Sequence, residues 1–254
     1  MLLIGNGNMG RAMVGPLAEL FDVTVVCPND YRPTYKAQYY ENMNLIKDTT
    51  FDYIQFAVKP YQLQGVLQNF NHTVYDKNTT FVSIIVAVGA EVFKKYLGEN
   101  ARIARVMPNL GVHVNAGVCV VLSDEKLDFL ETYAKTVYVK TVHDFDRVGT
   151  ICGCGTGYVY HIMQHYQQAA LSLGIESEVP LKELVFQIFM GTMKHFEQNQ
   201  ASTFEELKNK VTTQKGTTRA GVDQMEDIHE KFEQVFKGSV ARGLEIAADI
   251  KKTL

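Results

Sequence analysis

Along the first half of the chain, apolar residues gather in short continuous runs separated by stretches with helical spacing. The runs are Leu2 to Gly5, Val23 to Cys27, Tyr53 to Val58, Phe81 to Val86, Arg102 to Met107 and Gly117 to Leu122. Continuous runs, unlike alternating ones, mark strands buried on both faces. Strands that alternate with helices predict βα repeats, and so an α/β, doubly wound, mostly parallel sheet. From about Val148 the strand signal stops, and Tyr158 to Leu173, Leu181 to Phe196 and Val222 to Ile250 carry helical apolar spacing. The pattern predicts two domains, 1–146 and 147–254, with the second all-helical and the change falling near Asp144 to Gly149. No low-complexity linker or internal repeat interrupts either.

The helical half is too apolar for its size. Leu184-Val185-Phe186-Gln187-Ile188-Phe189-Met190 is greasy around most of a helix, and a lone domain of roughly 105 residues cannot readily cover it. Burial against a second subunit is the expected remedy, and a central place in the domain's own bundle is the alternative. Composition narrows the function. With 25 basic against 28 acidic residues the formal charge is −3, and no long basic run provides an electrostatic footprint for nucleic acid. A small-molecule partner is expected instead. No apolar run approaches the ~18 residues of a membrane span, and the opening MLLIG runs into a glycine turn rather than a signal-peptide cleavage site. A cytoplasmic, non-membrane protein is expected. Cys27, Cys119, Cys152 and Cys154 include only the close pair C-G-C, a poor disulfide or zinc spacing, so reduced thiols are expected. His161 and His165 stand at i, i+4 without a third ligand nearby, and no metal is expected.

Candidate chemistry begins directly after the first strand. Gly5-Asn6-Gly7-Asn8-Met9-Gly10 is a G-x-G-x-x-G turn followed by helix-compatible Arg11-Ala12-Met13-Val14. Gly5 permits the tight turn, Gly7 lets backbone approach a pyrophosphate, and Gly10 permits close strand–helix packing, while the helix N-terminus offers N–H donors to the anion. The first domain is therefore read as a Rossmann-type dinucleotide-binding unit. At the end of the second strand, where an acid ordinarily grips the adenosine ribose, the chain reads Cys27-Pro28-Asn29-Asp30-Tyr31-Arg32. Asn29 and Arg32 suit a 2′-phosphate, which favours NADPH, with NADH through Asp30 as the alternative.

Ala57-Val58-Lys59-Pro60 closes a later strand at the carboxyl edge of the predicted sheet, where ligands sit in open α/β folds. Asn109 ends another, and its amide can donate and accept near a nicotinamide, or simply build a turn. The segment Lys210 to Gly221 places four threonines around a glycine ahead of a helix. Its hydroxyls and N–H groups suit a carboxylate, and a helix N-cap rich in threonine is the plainer alternative.

Taken in order, these residues resemble the pyrroline-5-carboxylate reductase family. The family loop V-T-S-P-G-G-T-T-x-x-G stands here as V-T-T-Q-K-G-T-T-R-A-G, residues 211–221. G-x-G-N-M-G, A-V-K-P and M-P-N occur in family order, and S-G-C-G-P-A-Y appears as Cys152-Gly153-Cys154-Gly155-Thr156-Gly157-Tyr158. The resemblance implies an N-terminal dinucleotide-binding domain and a C-terminal helical domain that interlocks with a second copy, in a homodimer or a larger ring of dimers such as a decamer. It implies hydride transfer from NAD(P)H to the imine carbon of 1-pyrroline-5-carboxylate, a cyclic imino acid, giving L-proline. By motif, Val211, Thr213, Gly216, Thr217 and Thr218 would hold the substrate, with Thr218 near the imine nitrogen as proton donor or relay. Gln214 and Lys215 replace the family's Pro-Gly, removing a fixed φ and a permissive residue. That change opens a different loop path, an added cation for the carboxylate, or a narrower pocket. A reductase of another cyclic imine or keto acid, or a non-catalytic cofactor-binding relative, are the alternatives it leaves.

Overall fold

The computed structural model describes residues 1–28, 36–175 and 179–253. Its sheet has eight strands: β1 (Leu2–Ile4), β2 (Thr24–Val26), β3 (Gln38–Tyr40), β4 (Tyr53–Phe56), β5 (Thr80–Ser83), β6 (Arg102–Pro108), β7 (Gly117–Leu122) and β8 (Ala134–Tyr138). They lie in the order β3-β2-β1-β4-β5-β6-β7-β8. The first six follow the doubly wound dinucleotide-binding order, with the reversal of direction between β1 and β4. Pairing is parallel except between β6 and β7, where Arg105 faces Leu122 and Met107 faces Val120. The Rossmann-type, mostly parallel sheet predicted from the apolar runs is thus present.

Helices α1 (Asn8–Ala18), α2 (Pro60–Gln68) and α3 (Ala90–Leu97) follow β1, β4 and β5. Two apolar layers flank the sheet. One joins Leu3, Val25, Val82, Ala104 and Val121 to Met13, Val14 and Leu17 of α1. The other joins Leu2, Ile54, Phe56 and Phe81 to Leu63 and Leu67 of α2 and Phe93 and Leu97 of α3. Neighbouring strand residues fall in opposite layers, Leu3 in the first and Leu2 and Ile4 in the second, so the central strands carry apolar side chains on both faces.

All six predicted strands are found, some shorter than expected. β1 stops before Gly5, whose φ of +100° turns the chain out of the sheet. β5 stops at Ser83, where the side-chain hydroxyl accepts the Ile85 N–H at 3.3 Å. β3 and β8 were not expected; both are short outer strands.

The helical half contains α4 (Val142–Leu171), α5 (Leu181–Glu197), α6 (Phe204–Val211), α7 (Thr217–Val222) and α8 (Ile228–Thr253). α4 starts well before the predicted Tyr158, so residues 144–149 lie within a helix. The long helix expected from Val222 is instead two helices, because a 3-10 turn at Asp223–Met225 intervenes. α6, also unexpected, is opened by a capping box in which Thr203 Oγ accepts the Glu206 N–H and the Glu206 carboxylate accepts the Thr203 N–H. The chain divides into two compact units, residues 1–156 with 236–254, and residues 157–235. Within the second, Val185 is the only buried apolar side chain among the described residues, at 3% exposure. Phe186, Ile188, Met193, Phe204 and Val211 are all exposed. No described helix is long and apolar enough to cross a membrane.

One buried group is poorly placed. Gln55 in β4 is fully buried; its Nε2 donates only to the Met13 Sδ at 3.3 Å, and its Oε1 has no partner among the described residues. An unsatisfied buried amide costs roughly 1–3 kcal/mol. Gln55→Leu is therefore expected to raise unfolding stability by about 1 kcal/mol, read as a higher urea midpoint at unchanged slope. An unchanged or lower midpoint would mean that the amide is satisfied in solution.

Candidate active site in two halves

The first half lies at the carboxyl edge of β1 and β4, the switch point of the sheet. There the β1–α1 turn and the β4–α2 turn are pressed together. The Ala57 N–H donates to the Ile4 carbonyl at 2.8 Å, and the Gly5 N–H to the Val26 carbonyl at 2.8 Å. A Cβ on Gly5 would fall 2.7 Å from the Ala57 carbonyl oxygen, and one on Gly10 would fall 2.5 Å from the Gly5 carbonyl oxygen. The chain's own backbone therefore requires both glycines. Gly7 differs, since a Cβ there would meet nothing within 4 Å. Its small size serves no internal packing and leaves a bare approach to the exposed N-terminus of α1.

Gly7 is the N-cap of α1, and no side chain caps its first N–H groups. The first turn carries no acid. Asn8 is exposed, Met9 is half-buried, and Asn6 is buried with its carbonyl accepting from Arg11 at 3.5 Å. This is the arrangement of donors and dipole that receives a phosphate. Lys59 is the exposed N-cap of α2, with its backbone N–H held by Gln62 Oε1 at 3.0 Å, and Pro60 opens the helix where a missing N–H costs nothing. Thus the structure brings Gly5 and Gly10 against Ala57 and Val58, with Lys59 and Pro60 next in the chain.

Asn109 follows β6 and is partly a turn builder. Its Oδ1 accepts the Gly111 N–H at 3.2 Å and the Val118 N–H at 3.1 Å. Its acceptor is committed to the protein, which leaves the amide nitrogen to donate. Asn29 and Arg32 lie outside the described residues. Sequence reading passed over the loop after β5, where Ala87 has φ +66° and Val86 is exposed at the same strand edge. Alanine gives no sign of a left-handed position in advance.

Below Asn109, β6 carries a buried cation. Arg105 is 5% exposed, its guanidinium 4.3 Å from the Phe145 ring and 3.6 Å from the Asp146 carboxylate. Burial lowers its pKa, with Asp146 and Glu91 opposing. Two residues on, Met107 seats Gly149 and Gly153 of α4, where added Cβ atoms would approach to 3.3 and 3.4 Å. Arg105 and Met107 together dock the first turns of α4 on the strand that ends at Asn109.

The second half is the turn between α6 and α7. α6 ends at Val211, and Thr212 is its buried C-cap, with Oγ donating to the Lys208 carbonyl at 2.9 Å. The Gly216 N–H then donates to the Thr213 carbonyl at 3.0 Å, and Lys215 between them has φ +62°. Those features mark a type II turn, whose third position ordinarily takes glycine. Lysine there costs about 1–2 kcal/mol. Lys215 is thus left-handed at the place where the family motif reads glycine. Gly216 caps α7, and a Cβ on it would lie 2.6 Å from Thr213 Oγ. Thr213, Thr217 and Thr218 are exposed around it, so the structure brings together all the threonines read as substrate ligands.

Among the described residues, no group of three or more His, Cys, Asp or Glu is disposed to hold a metal, and His161 and His165 meet edge to face with ring centroids 4.3 Å apart. The cysteines described are free thiols.

Comparison with known proteins agrees with these features. Residues 143–249 match the family described as pyrroline-5-carboxylate reductase dimerisation. The chain is 26% identical over 220 residues to the pyrroline-5-carboxylate reductase of Staphylococcus saprophyticus, covering 82% of this chain and 79% of that one. The Staphylococcus aureus enzyme is 26% identical over 219 residues, with the same coverage. The crystal structure of Plasmodium falciparum pyrroline carboxylate reductase with NADP bound superposes with a TM-score of 0.77 at 21% identity, covering 98% of both chains. That of pyrroline-5-carboxylate reductase from Coxiella burnetii superposes with a TM-score of 0.78 at 22% identity, covering 98% of this chain and 97% of that one. The resemblance to the pyrroline-5-carboxylate reductases drawn from five ordered motifs is thus borne out, by the family match over residues 143–249 and by these relatives.

Proposed function

We propose that the protein reduces 1-pyrroline-5-carboxylate to L-proline with NADPH. The observation that carries this reading is the joint presence, in one chain, of an uncapped helix N-terminus behind a bare Gly7 and a matched dimerisation domain containing the threonine loop. The division 1–146 and 147–254 follows the same logic, one part for cofactor and one for substrate and association. The absence of an acid at Cys27-Pro28 and the NADP in the Plasmodium falciparum neighbour support NADPH over NADH, with Asn29 and Arg32 assigned to the 2′-phosphate.

When bound, the nicotinamide supplies the hydride that goes to the imine carbon. Gly5, Gly7 and Gly10 admit the pyrophosphate to the α1 N–H groups, Asn6, Asn8 and Met9 flank it, and Ala57 to Pro60 line the way toward the reacting end. Asn109 donates through its amide nitrogen. Val211, Thr213, Gly216 and Thr217 hold the substrate carboxylate and ring. The imine nitrogen gains one proton, and Thr218, a weak acid, relays it from water rather than supplying it outright. Positioning of the two reactants is the main source of rate.

The exposed apolar faces of α5 and α6 support a homodimer, and a larger ring of such dimers is part of the proposal. Reduced thiols support a cytoplasmic setting.

The purified protein is expected to oxidise NADPH on addition of 1-pyrroline-5-carboxylate and to rescue a proline auxotroph. Turnover of other cyclic imines alone would transfer the reading to a different substrate, and binding of NADPH without turnover of any would make the chain non-catalytic. Thr218→Ala should lower kcat roughly tenfold or more while changing the KM for NADPH little. Equal losses in both would remove Thr218 from the chemistry. Phe186→Asp, which places a charge in the exposed apolar face of α5, should give monomers in analytical ultracentrifugation. A dimer of undiminished stability would exclude this face from the interface.

A further inference from the structure

We propose that Lys215 is a specificity-determining cation, its ammonium drawing the carboxylate of the imino acid onto the α6–α7 turn. The inference rests on assignment of residues 211–218 to the substrate. Its starting point is a residue in a conformation that its type disfavours. Lys215 holds φ +62° in the turn closed by the Gly216 N–H and the Thr213 carbonyl, where glycine would sit without strain. The side chain gives no repayment within the chain. It is exposed, and no acid pairs with it among the described residues. Arg219, four residues on, is by contrast held by Asp223 at 2.9 Å. A left-handed lysine without an internal partner points to a partner from outside, as such strained positions do at ligand sites.

The geometry also separates charge from bulk. Gln214 and Lys215 are both exposed in the turn, so the lysine side chain is open to solvent rather than buried in the loop. The turn keeps its hydrogen bond, and Thr213 Oγ stays against Gly216. What the substitution adds is a strongly hydrated point charge with three rotatable donors, beside hydroxyls able to complete the shell of a carboxylate. An exposed charge of this kind acts at modest range and is screened by salt.

The test compares wild type with Lys215→Met, Lys215→Arg, Lys215→Glu and Lys215→Gly in NADPH-dependent reduction of 1-pyrroline-5-carboxylate. At low ionic strength, Lys215→Met should raise the KM for the imino acid about fivefold, leave kcat near wild type and leave the KM for NADPH unchanged. Lys215→Glu should raise it further, and Lys215→Arg should restore most of the affinity. The gap between wild type and Lys215→Met should close in high salt. Competitive inhibition by cyclopentanecarboxylate should weaken in step, while that by cyclopentanecarboxamide should not. Lys215→Gly relaxes the turn, so it should melt higher yet show the same raised KM. A wild-type KM in Lys215→Met or Lys215→Gly at low ionic strength overturns the proposal while leaving the reductase reading intact. A wild type inert toward 1-pyrroline-5-carboxylate overturns both.

Discussion

The close approach of two backbone turns at the centre of the sheet is the constraint on which the first unit depends. Gly10 rests on the carbonyl of Gly5, and Gly5 rests on the carbonyl of Ala57. Neither contact leaves room for a methyl group. The contacts fix where α1 leaves β1, and hence where its N–H groups point. They also set the spacing of β1 and β4, about which the six-strand order turns. Gly7 escapes this constraint, which separates the two glycines that build the turn from the one that keeps its outer surface open.

The central strands were legible in the sequence because burial on both faces favours continuous apolar runs, which the buried polar residues Thr24, Gln55, Thr80, Ser83 and Arg105 interrupt only singly or at strand ends. The outer strands were not. Gln38 to Tyr40 is three residues long, and Ala134 to Tyr138 is a short edge strand with both polar and apolar positions open to solvent. α6 carried an overlooked signal, since Thr203 and Glu206 spell a capping box three residues apart. The break before α8 was harder to read, because the helical apolar spacing continues through the 3-10 turn at Asp223–Met225.

The candidate site was legible unevenly for a similar reason. Glycines reveal a turn because steric need limits what else can stand there, so the β1–α1 loop could be placed residue by residue. Asn109 gave its residue type but not its allegiance, and the structure divides that side chain between a carbonyl bound to Gly111 and Val118 and an amide left to donate. Ala87 gave no warning at all. Lys215 gave no sign of its conformation, since a lysine ordinarily avoids the left-handed region in which the turn closed by the Gly216 N–H holds it.

The order of the strands has a consequence for how the chain is assembled. β1 is first in sequence and central in space; β2 pairs with β1, β3 with β2, β4 with β1, and each later strand with the one before it. Every strand after the first thus meets a neighbour that precedes it in the chain. During synthesis the sheet can widen outward from its middle, each new strand finding one neighbour already made.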